Sequence, residues 1–345
     1  MNPLELLYCV GHRIKAGRDL RHQTRLSSPV ISVGNITTGG TGKTPATISL
    51  ARSARERGLT PVILTRGYLG KMQEPCFVGE AFRLLTGHPG GTARHVPPDP
   101  DLCGDEPVLM AEKLPDVPVV KCPDRYRGGM FALEALPERL RPSVLFIMDD
   151  GFQHLRLHRD LDIVLVDGLN PFGNGRLLPL GPLREPLAGL RRAGLFVITR
   201  SDNEGVRRQL MALNPGAPVF TAVTTVTGIT DMQGRPAGQA LTGKSLCGFC
   251  GVGNPESFRR TLQGLPGKLR GFKSFRDHHS YRRTDLSRLK QWAGRLGCDF
   301  LVTTEKDRVK LRKTGASEGI LAVEISLEMG EGFCDAVFGL LPSRM

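Results

Sequence analysis

The chain has 345 residues, 40% of them hydrophobic, enough to bury two domains of ordinary size and to exclude a disordered polymer. It carries 47 basic against 34 acidic residues, a net charge of +13, which points to an anionic partner: a phosphorylated substrate, a lipid surface or nucleic acid. Aromatic residues make up only 6% and no RNA-binding signature is present, so nucleic acid ranks last of the three.

Residues 1 to 25 place Leu4, Leu7, Tyr8 and Ile14 near helical spacing, with Arg13, Lys15, Arg18, Arg21 and Arg25 on a basic partner face. Two readings fit: an amphipathic helix lying in an anionic headgroup layer, or a capping helix packed on the domain. No apolar run reaches the roughly 20 residues of a spanning helix, so no transmembrane segment is expected. Eight scattered cysteines without a secretory leader read as free thiols in a reducing compartment. Cys247 and Cys250 form a C-x-x-C with no second pair at zinc spacing, and read as a buried strand entering a glycine turn.

Residues 30 to 45, VISVGNITTGGTGKTP, predict a short β-branched strand, a Thr/Gly loop and the opening of a helix. That is the shape of a phosphate loop, in which glycines turn successive N–H groups inward and the helix N-terminus adds its positive dipole end. Thr38, Gly39, Gly40, Thr41, Gly42, Lys43 and Thr44 would cradle the nucleotide, Lys43 reaching the β- and γ-phosphates and Thr44 ligating Mg²⁺. The first glycine of the usual G-x-x-x-x-G-K-[ST] pattern is replaced by Thr37, with Gly39 and Gly40 supplying the flexibility instead.

Further along, a strand over 61 to 65 ends in Arg66-Gly67-Tyr68, where Arg66 is either an anion contact or an ordinary surface arginine. Residues 70 to 103 are rich in Gly and Pro, lack a clear period and read as a loop or small excursion. Gly104-Asp105-Glu106-Pro107 opens a helix with Asp105 at or near its N-cap, and a strand over 117 to 121 leads to Asp124-Arg125 at its carboxyl end and a further helix from about Arg127. The apolar strand 144 to 148 runs into Asp149-Asp150, an arrangement that brings carboxylates to the Mg²⁺ of a nucleotide. After a strand over 162 to 167 comes a long loop, 168 to 186, that interleaves leucines with Asn174, Arg176 and Arg184 and suits a substrate both greasy and anionic.

Strands over 195 to 199 and 219 to 224 close a mostly parallel α/β domain of the P-loop NTPase type, flanked by helices and spanning 26 to 224. Residues 225 to 243 read as a linker, and 244 to 345 as a second, smaller α/β domain. That second part carries Asp277-His278-His279-Ser280-Tyr281 just past a strand end, a catalytic candidate or a polar surface turn, and Thr303-Thr304-Glu305-Lys306-Asp307 at another.

Taken in order, the strings VGNITTGGTGKTP, TRGY, GDEP, MDDGFQH, GNGRLLPLGPLRE, F-x-DHHSY and TTEKD resemble those of the tetraacyldisaccharide 4′-kinase family across nearly the whole chain. The resemblance implies a two-domain P-loop kinase that uses ATP and Mg²⁺ to phosphorylate the disaccharide precursor of lipid A. It also implies peripheral attachment at the cytoplasmic face of the inner membrane of a Gram-negative bacterium, on an anionic lipid surface. By the same resemblance Asp149 and Asp150 bind metal, Asp105 is the catalytic aspartate and His278 its partner, and Arg66, Arg125, His154, Asn174 and Arg176 contact substrate. A partition-type ATPase switch would need a lysine where this chain has Thr38. A purely basic binding module leaves the carboxylate and histidine strings without a role.

Overall fold

The computed structural model describes residues 2–87, 94–315 and 318–341. They form two compact units: one from the start of the chain to Thr224 together with the chain from Leu327 onward, the other Thr225–Ser326. Among the described residues nine strands serve the first unit: β1 (Val30–Asn35), β2 (Thr60–Thr65), β3 (Cys76–Val78), β4 (His95–Val96), β5 (Val119–Lys121), β6 (Val144–Asp149), β7 (Leu161–Asp167), β8 (Leu195–Thr199) and the first part of β9 (Val219–Asp231). Their spatial order is β9-β8-β7-β1-β6-β2-β5-β3-β4. Pairing is parallel except between β3 and β5. Helices α1 (Pro3–Arg21), α2 (Lys43–Glu56), α3 (Ala81–Thr86), α4 (Pro100–Cys103), α5 (Asp105–Lys113), α6 (Arg125–Ala135) and α7 (Glu204–Leu213) belong to the same unit.

The second unit holds β10 (Ser245–Cys250), β11 (Lys268–Ser274), β12 (Phe300–Thr304) and β13 (Ile320–Met329), ordered β11-β10-β12-β13, with α8 (Pro255–Gln263), α9 (Arg283–Arg295) and α10 (Glu305–Leu311). The chain then returns to the first unit through the end of β13 and α11 (Phe333–Gly339).

β1, β6, β7 and β8 are buried along their whole lengths, and their runs of Val, Ile, Leu and Phe are what a parallel sheet covered on both faces requires. One face packs Leu64, Phe77, Val120, Phe146 and Met148; the other packs Ile36, Phe152, Val164, Phe196 and Ile198. β1 lies between β6 and β7, while the α2 crossover carries the chain past β6 to β2. Crossovers leaving β1 and its neighbours in opposite directions open a crevice at the carboxyl ends of these strands.

Several segments differ from the sequence expectation. The described residues between 70 and 103 hold two short strands and two short helices, too brief for a period to register in the sequence. The segment read as a linker holds the end of β9 and a 3-10 turn at Gly238–Leu241, and the residues after Ser326 belong with the first unit. Cys247 is paired with Cys298 in a disulfide, so these two are not free thiols. The short helix after Thr304 was not anticipated; its N-cap is Thr304, whose hydroxyl accepts from Asp307 N–H at 3.0 Å.

Gly34 shows how closely the core determines this geometry. A Cβ there would lie 2.5 Å from Phe152 Cβ and 2.8 Å from Phe152 N, because β1 rests against the turn that follows Asp150. Gly34→Ala is expected to lower stability by about 1–3 kcal/mol through overpacking, measured by urea denaturation. An unchanged midpoint would show that this contact yields at no cost.

Candidate active site

The loop from Ile36 to Gly42 leaves the carboxyl end of β1 and enters α2 with Gly42, at φ +89°, as N-cap. Gly39 is also left-handed at φ +113°, so the loop takes a path that side chains would resist. The loop is braced from outside. Thr38 N–H donates to Pro182 O at 2.7 Å and Arg184 N–H to Ile36 O at 2.9 Å, laying the long 168–186 loop along it. Thr199 Oγ1 donates to Thr41 O at 3.3 Å, and the Arg200 guanidinium bonds both Gly40 O and Asp167.

β6 pairs beside β1 in the register Val33↔Asp149, which sets the acid level with the start of the loop. Asp149 is 2% exposed and accepts from Thr47 Oγ1, on the first turns of α2, at 3.1 Å. Asp150 turns the other way, at φ +51°, and takes both oxygens to Arg184 Nη1 at 2.8 and 2.9 Å. Lys43 Nζ lies 3.6 Å from Asp150 and donates to Asn35 Oδ1 at 3.2 Å. Lys43, Asp149 and Asp150 are therefore brought together as the sequence suggested. Arg184 completes the group; it was visible in the long loop but had no assigned role.

The two acids are electrostatically unlike. Burial, then the carboxylates of Glu106 and Asp150, push Asp149 up to about 7. Burial also opposes ionisation of Asp150, but Lys43 and Arg184 outweigh it and bring it down to about 2. Glu106, the third residue of the GDEP string, thus acts on Asp149, a neighbourhood that sequence spacing did not reveal.

Gly67 and Gly104 bring TRGY and GDEP into contact: a Cβ on Gly104 would meet Tyr68 O at 2.7 Å. Asp105 is 5% exposed and is the first residue of α5, with Gly104 as N-cap; its Oδ1 accepts from Glu106 N–H at 3.1 Å. Arg125, expected at a strand end, is the first residue of α6 and 4% exposed, because Asp124 caps that helix through Tyr126 and Arg127 N–H. Burial and Arg66 lower it to about 10, against the pull of Asp150 and Asp149. His154 is lowered to about 4 by burial and by Arg125. Arg66 and Arg125 therefore extend the cationic rim of the acid pair, with His154 beside Arg125 as a neutral imidazole. Asn174 and Arg176 are engaged elsewhere: Asn174 Nδ2 donates to Leu180 O, and the Arg176 guanidinium meets Glu5 of α1 at 3.3 Å. His278 stands in the second unit, in the turn after β11, with φ +57°.

Among the described residues no three His, Cys, Asp or Glu side chains converge as a ready metal cage. The oxygen set of Asp149, Asp150 and the Thr44 hydroxyl nevertheless fits Mg²⁺, which binds through one or two carboxylates, keeps waters and completes its shell with phosphate oxygens. Asp149, a buried carboxyl held near neutral by other carboxylates, is a group that a divalent cation would ionise.

A glycine loop joining the central strand of a parallel sheet to a helix N-terminus, faced by an acid-ended neighbouring strand, makes this a P-loop kinase fold. Residues 1–340 match the family model of tetraacyldisaccharide-1-P 4′-kinase, LpxK. The tetraacyldisaccharide 4′-kinase of Syntrophus aciditrophicus is 38% identical over 334 residues, covering 92% of this chain and 85% of its own length. That of Geobacter metallireducens is 38% identical over 332 residues, covering 94% and 92%. The crystal structure of LpxK from Aquifex aeolicus in complex with ATP superposes with a TM-score of 0.72 at 30% identity, covering 99% of this chain and 98% of that one. The chain belongs to the tetraacyldisaccharide-1-P 4′-kinase family.

The raised Asp149 has a measurable consequence. Its contribution to folding stability is lost as pH rises from the ordinary 3.8 through about 7, since the folded state holds the proton and the unfolded chain releases it. In chelator, Asp149→Asn should therefore raise the melting temperature, and raise it more at pH 8 than at pH 5, each tenfold difference in proton affinity between folded and unfolded chain being worth about 1.4 kcal/mol. Equal effects at both pH values would mean that Asp149 ionises normally.

Proposed function

We propose that this chain transfers the γ-phosphate of ATP to the 4′-hydroxyl of the tetraacyldisaccharide 1-phosphate precursor of lipid A, at the loop faced by Asp149 and Asp150. The observation that carries the reading is the Lys43, Asp150 and Arg184 cluster at the mouth of the loop. Here two cations already share one carboxylate, and both lie where phosphate charge would accumulate. Lys43, now on Asn35 and Asp150, would exchange these partners for the β- and γ-phosphates, and the N–H groups of residues 39 to 44 would line the α- and β-phosphates, that of Thr38 being taken by Pro182 O. Mg²⁺, bound by Thr44, Asp149 and Asp150, would supply charge neutralisation of the transferring group.

In this reading Asp105 accepts the proton of the attacking hydroxyl. Its burial beside Glu106 favours a proton-accepting role over a solvated cap. His278 is the partner that orients Asp105 when the nucleotide is bound. Arg66, Arg125 and His154 recognise the anionic part of the acceptor, with Asn174 and Arg176 placed nearer its lipid side.

For the acyl chains, α1 offers a surface. Glu5, Tyr8 and Cys9 face the first unit: Glu5 accepts from Leu177 N–H at 2.9 Å and the Tyr8 hydroxyl donates to Arg184 O at 2.8 Å. Leu4, Leu7, Val10 and Ile14 point outward at 57, 70, 45 and 67% exposure. Apolar residues in water beside Arg13, Lys15 and Arg18 suit shallow docking on the anionic cytoplasmic leaflet of the inner membrane, each charge adding on the order of 1 kcal/mol. No described helix is long and apolar enough to cross a membrane. Leu7→Asp with Ile14→Asp should cut co-sedimentation with phosphatidylglycerol vesicles several-fold and leave ATP binding intact; unaltered sedimentation would remove α1 from the docking surface.

The reaction itself is tested with γ-labelled ATP and the disaccharide 1-phosphate, the product analysed by mass spectrometry. Label should appear on the lipid, and Lys43→Ala should lower kcat by at least about 100-fold with the fold retained. Activity of Lys43→Ala within tenfold of wild type would make the assignment of the loop wrong.

A further inference from the structure

The TTEKD string and the glycine turn after β10 have no part in the chemistry above, yet they lie directly beneath the turn that carries His278. Asp307 is fully buried. Its Oδ2 accepts from Gly251 N–H at 2.9 Å and from Thr304 Oγ1 at 2.8 Å, and its Oδ1 meets Lys310 Nζ at 2.7 Å. Lys310 Nζ also donates to Gly251 O at 3.2 Å, so both polar groups of Gly251 are fastened to α10.

Gly251 in turn supports the histidine turn. A Cβ on it would come to 3.1 Å from Arg276 O, 3.1 Å from His279 Cβ and 3.2 Å from the Tyr281 hydroxyl. Tyr281 is 6% exposed, its hydroxyl beside the Asp307 carboxylate and its ring 5.5 Å from Lys310 Nζ. On the outer side, Lys306 Nζ lies 3.8 Å from Asp277 Oδ1, and that same oxygen accepts from His278 N–H at 3.0 Å. The neighbouring His279 is occupied by the fold. It stacks on Phe275 with centroids 4.6 Å apart and meets Asp285 at 3.2 Å, while Asp285 also accepts from Arg282 N–H at the start of α9.

We propose that Asp307, Lys310 and Tyr281 form a buried ionic latch, with Lys306 bracing Asp277 at its outer edge, whose task is to hold His278 in its left-handed backbone conformation, making all four positioning residues for the phosphoryl transfer. A non-glycine residue at φ +57° is retained only where its surroundings over-determine it. Here the surroundings are fixed from two sides, through Gly251 and Tyr281 below and through Asp277 beside. The inference rests on the reading of His278 as the partner of Asp105, and it assigns His279 a structural place rather than a catalytic one.

The test uses Tyr281→Phe, which keeps the ring and removes the hydroxyl, and Lys306→Gln, near the surface, each alone and combined with His278→Ala in the full-length enzyme. Each single variant is expected to lower kcat about tenfold with KM for ATP and lipid within about twofold, and to add nothing further in the His278→Ala background. Wild-type kcat in both single variants, or losses that multiply with that of His278→Ala, would overturn the latch while leaving the role of His278 intact. Wild-type kcat in His278→Ala itself would overturn the underlying reading, and the latch with it.

Discussion

The parallel pairing of β6 against β1, with Asp149 opposite Val33, is the constraint on which the site depends. It brings a buried acid to the start of a loop that carries a lysine and a helix N-terminus. A carboxylate so deeply buried is costly unless paired, and the molecule meets that cost differently for its two acids. Asp150 is paired with Lys43 and Arg184, whereas Asp149 receives one hydroxyl and stays near neutral. The result is a centre with cations gathered round one carboxylate and a second carboxyl that a divalent ion would ionise. Polyphosphate and metal together complement that imbalance better than either alone.

The same arrangement couples the site to the entrance region. Arg184 bonds Asp150 through its guanidinium, Ile36 through its N–H and Tyr8 of α1 through its carbonyl. One residue therefore joins the acid pair, the phosphate loop and the helix whose apolar side faces solvent. In the proposed function this linkage places the lipid-facing helix and the phosphate site in one packed body, so that an acceptor lying at a membrane surface has a fixed relation to the nucleotide.

Much of the architecture was legible in the sequence because its signals are local. The strand, glycine loop and Gly42-Lys43-Thr44 helix start, and the apolar strand ending in Asp149-Asp150, are each read from fewer than about 16 consecutive residues. What escaped was set by tertiary contact. Glu106 acts on Asp149 only because the fold brings the first turn of α5 near the acid pair, and Arg184 reaches Asp150 only because the 168–186 loop lies along residues 36 to 38. The return of the chain after Ser326 to the first unit, and the pairing of Cys247 with Cys298, depend on long-range topology that no periodicity encodes. The helix expected from about residue 127 begins at Arg125, since a single Asp124 side chain caps two N–H groups and moves the boundary.

The proposed chemistry needs one divalent ion shared by the phosphate loop and the acid-ended strand. Crystals grown with Mn²⁺ and a non-hydrolysable ATP analogue test this directly, because anomalous scattering locates the ion without reference to activity. The ion is expected within about 2.0–2.3 Å of the Thr44 hydroxyl, and either at the same distance from at least one of Asp149 and Asp150 or joined to it by one ordered water. An ion held by phosphate oxygens alone, with both carboxylates still on Thr47 and Arg184, would contradict it.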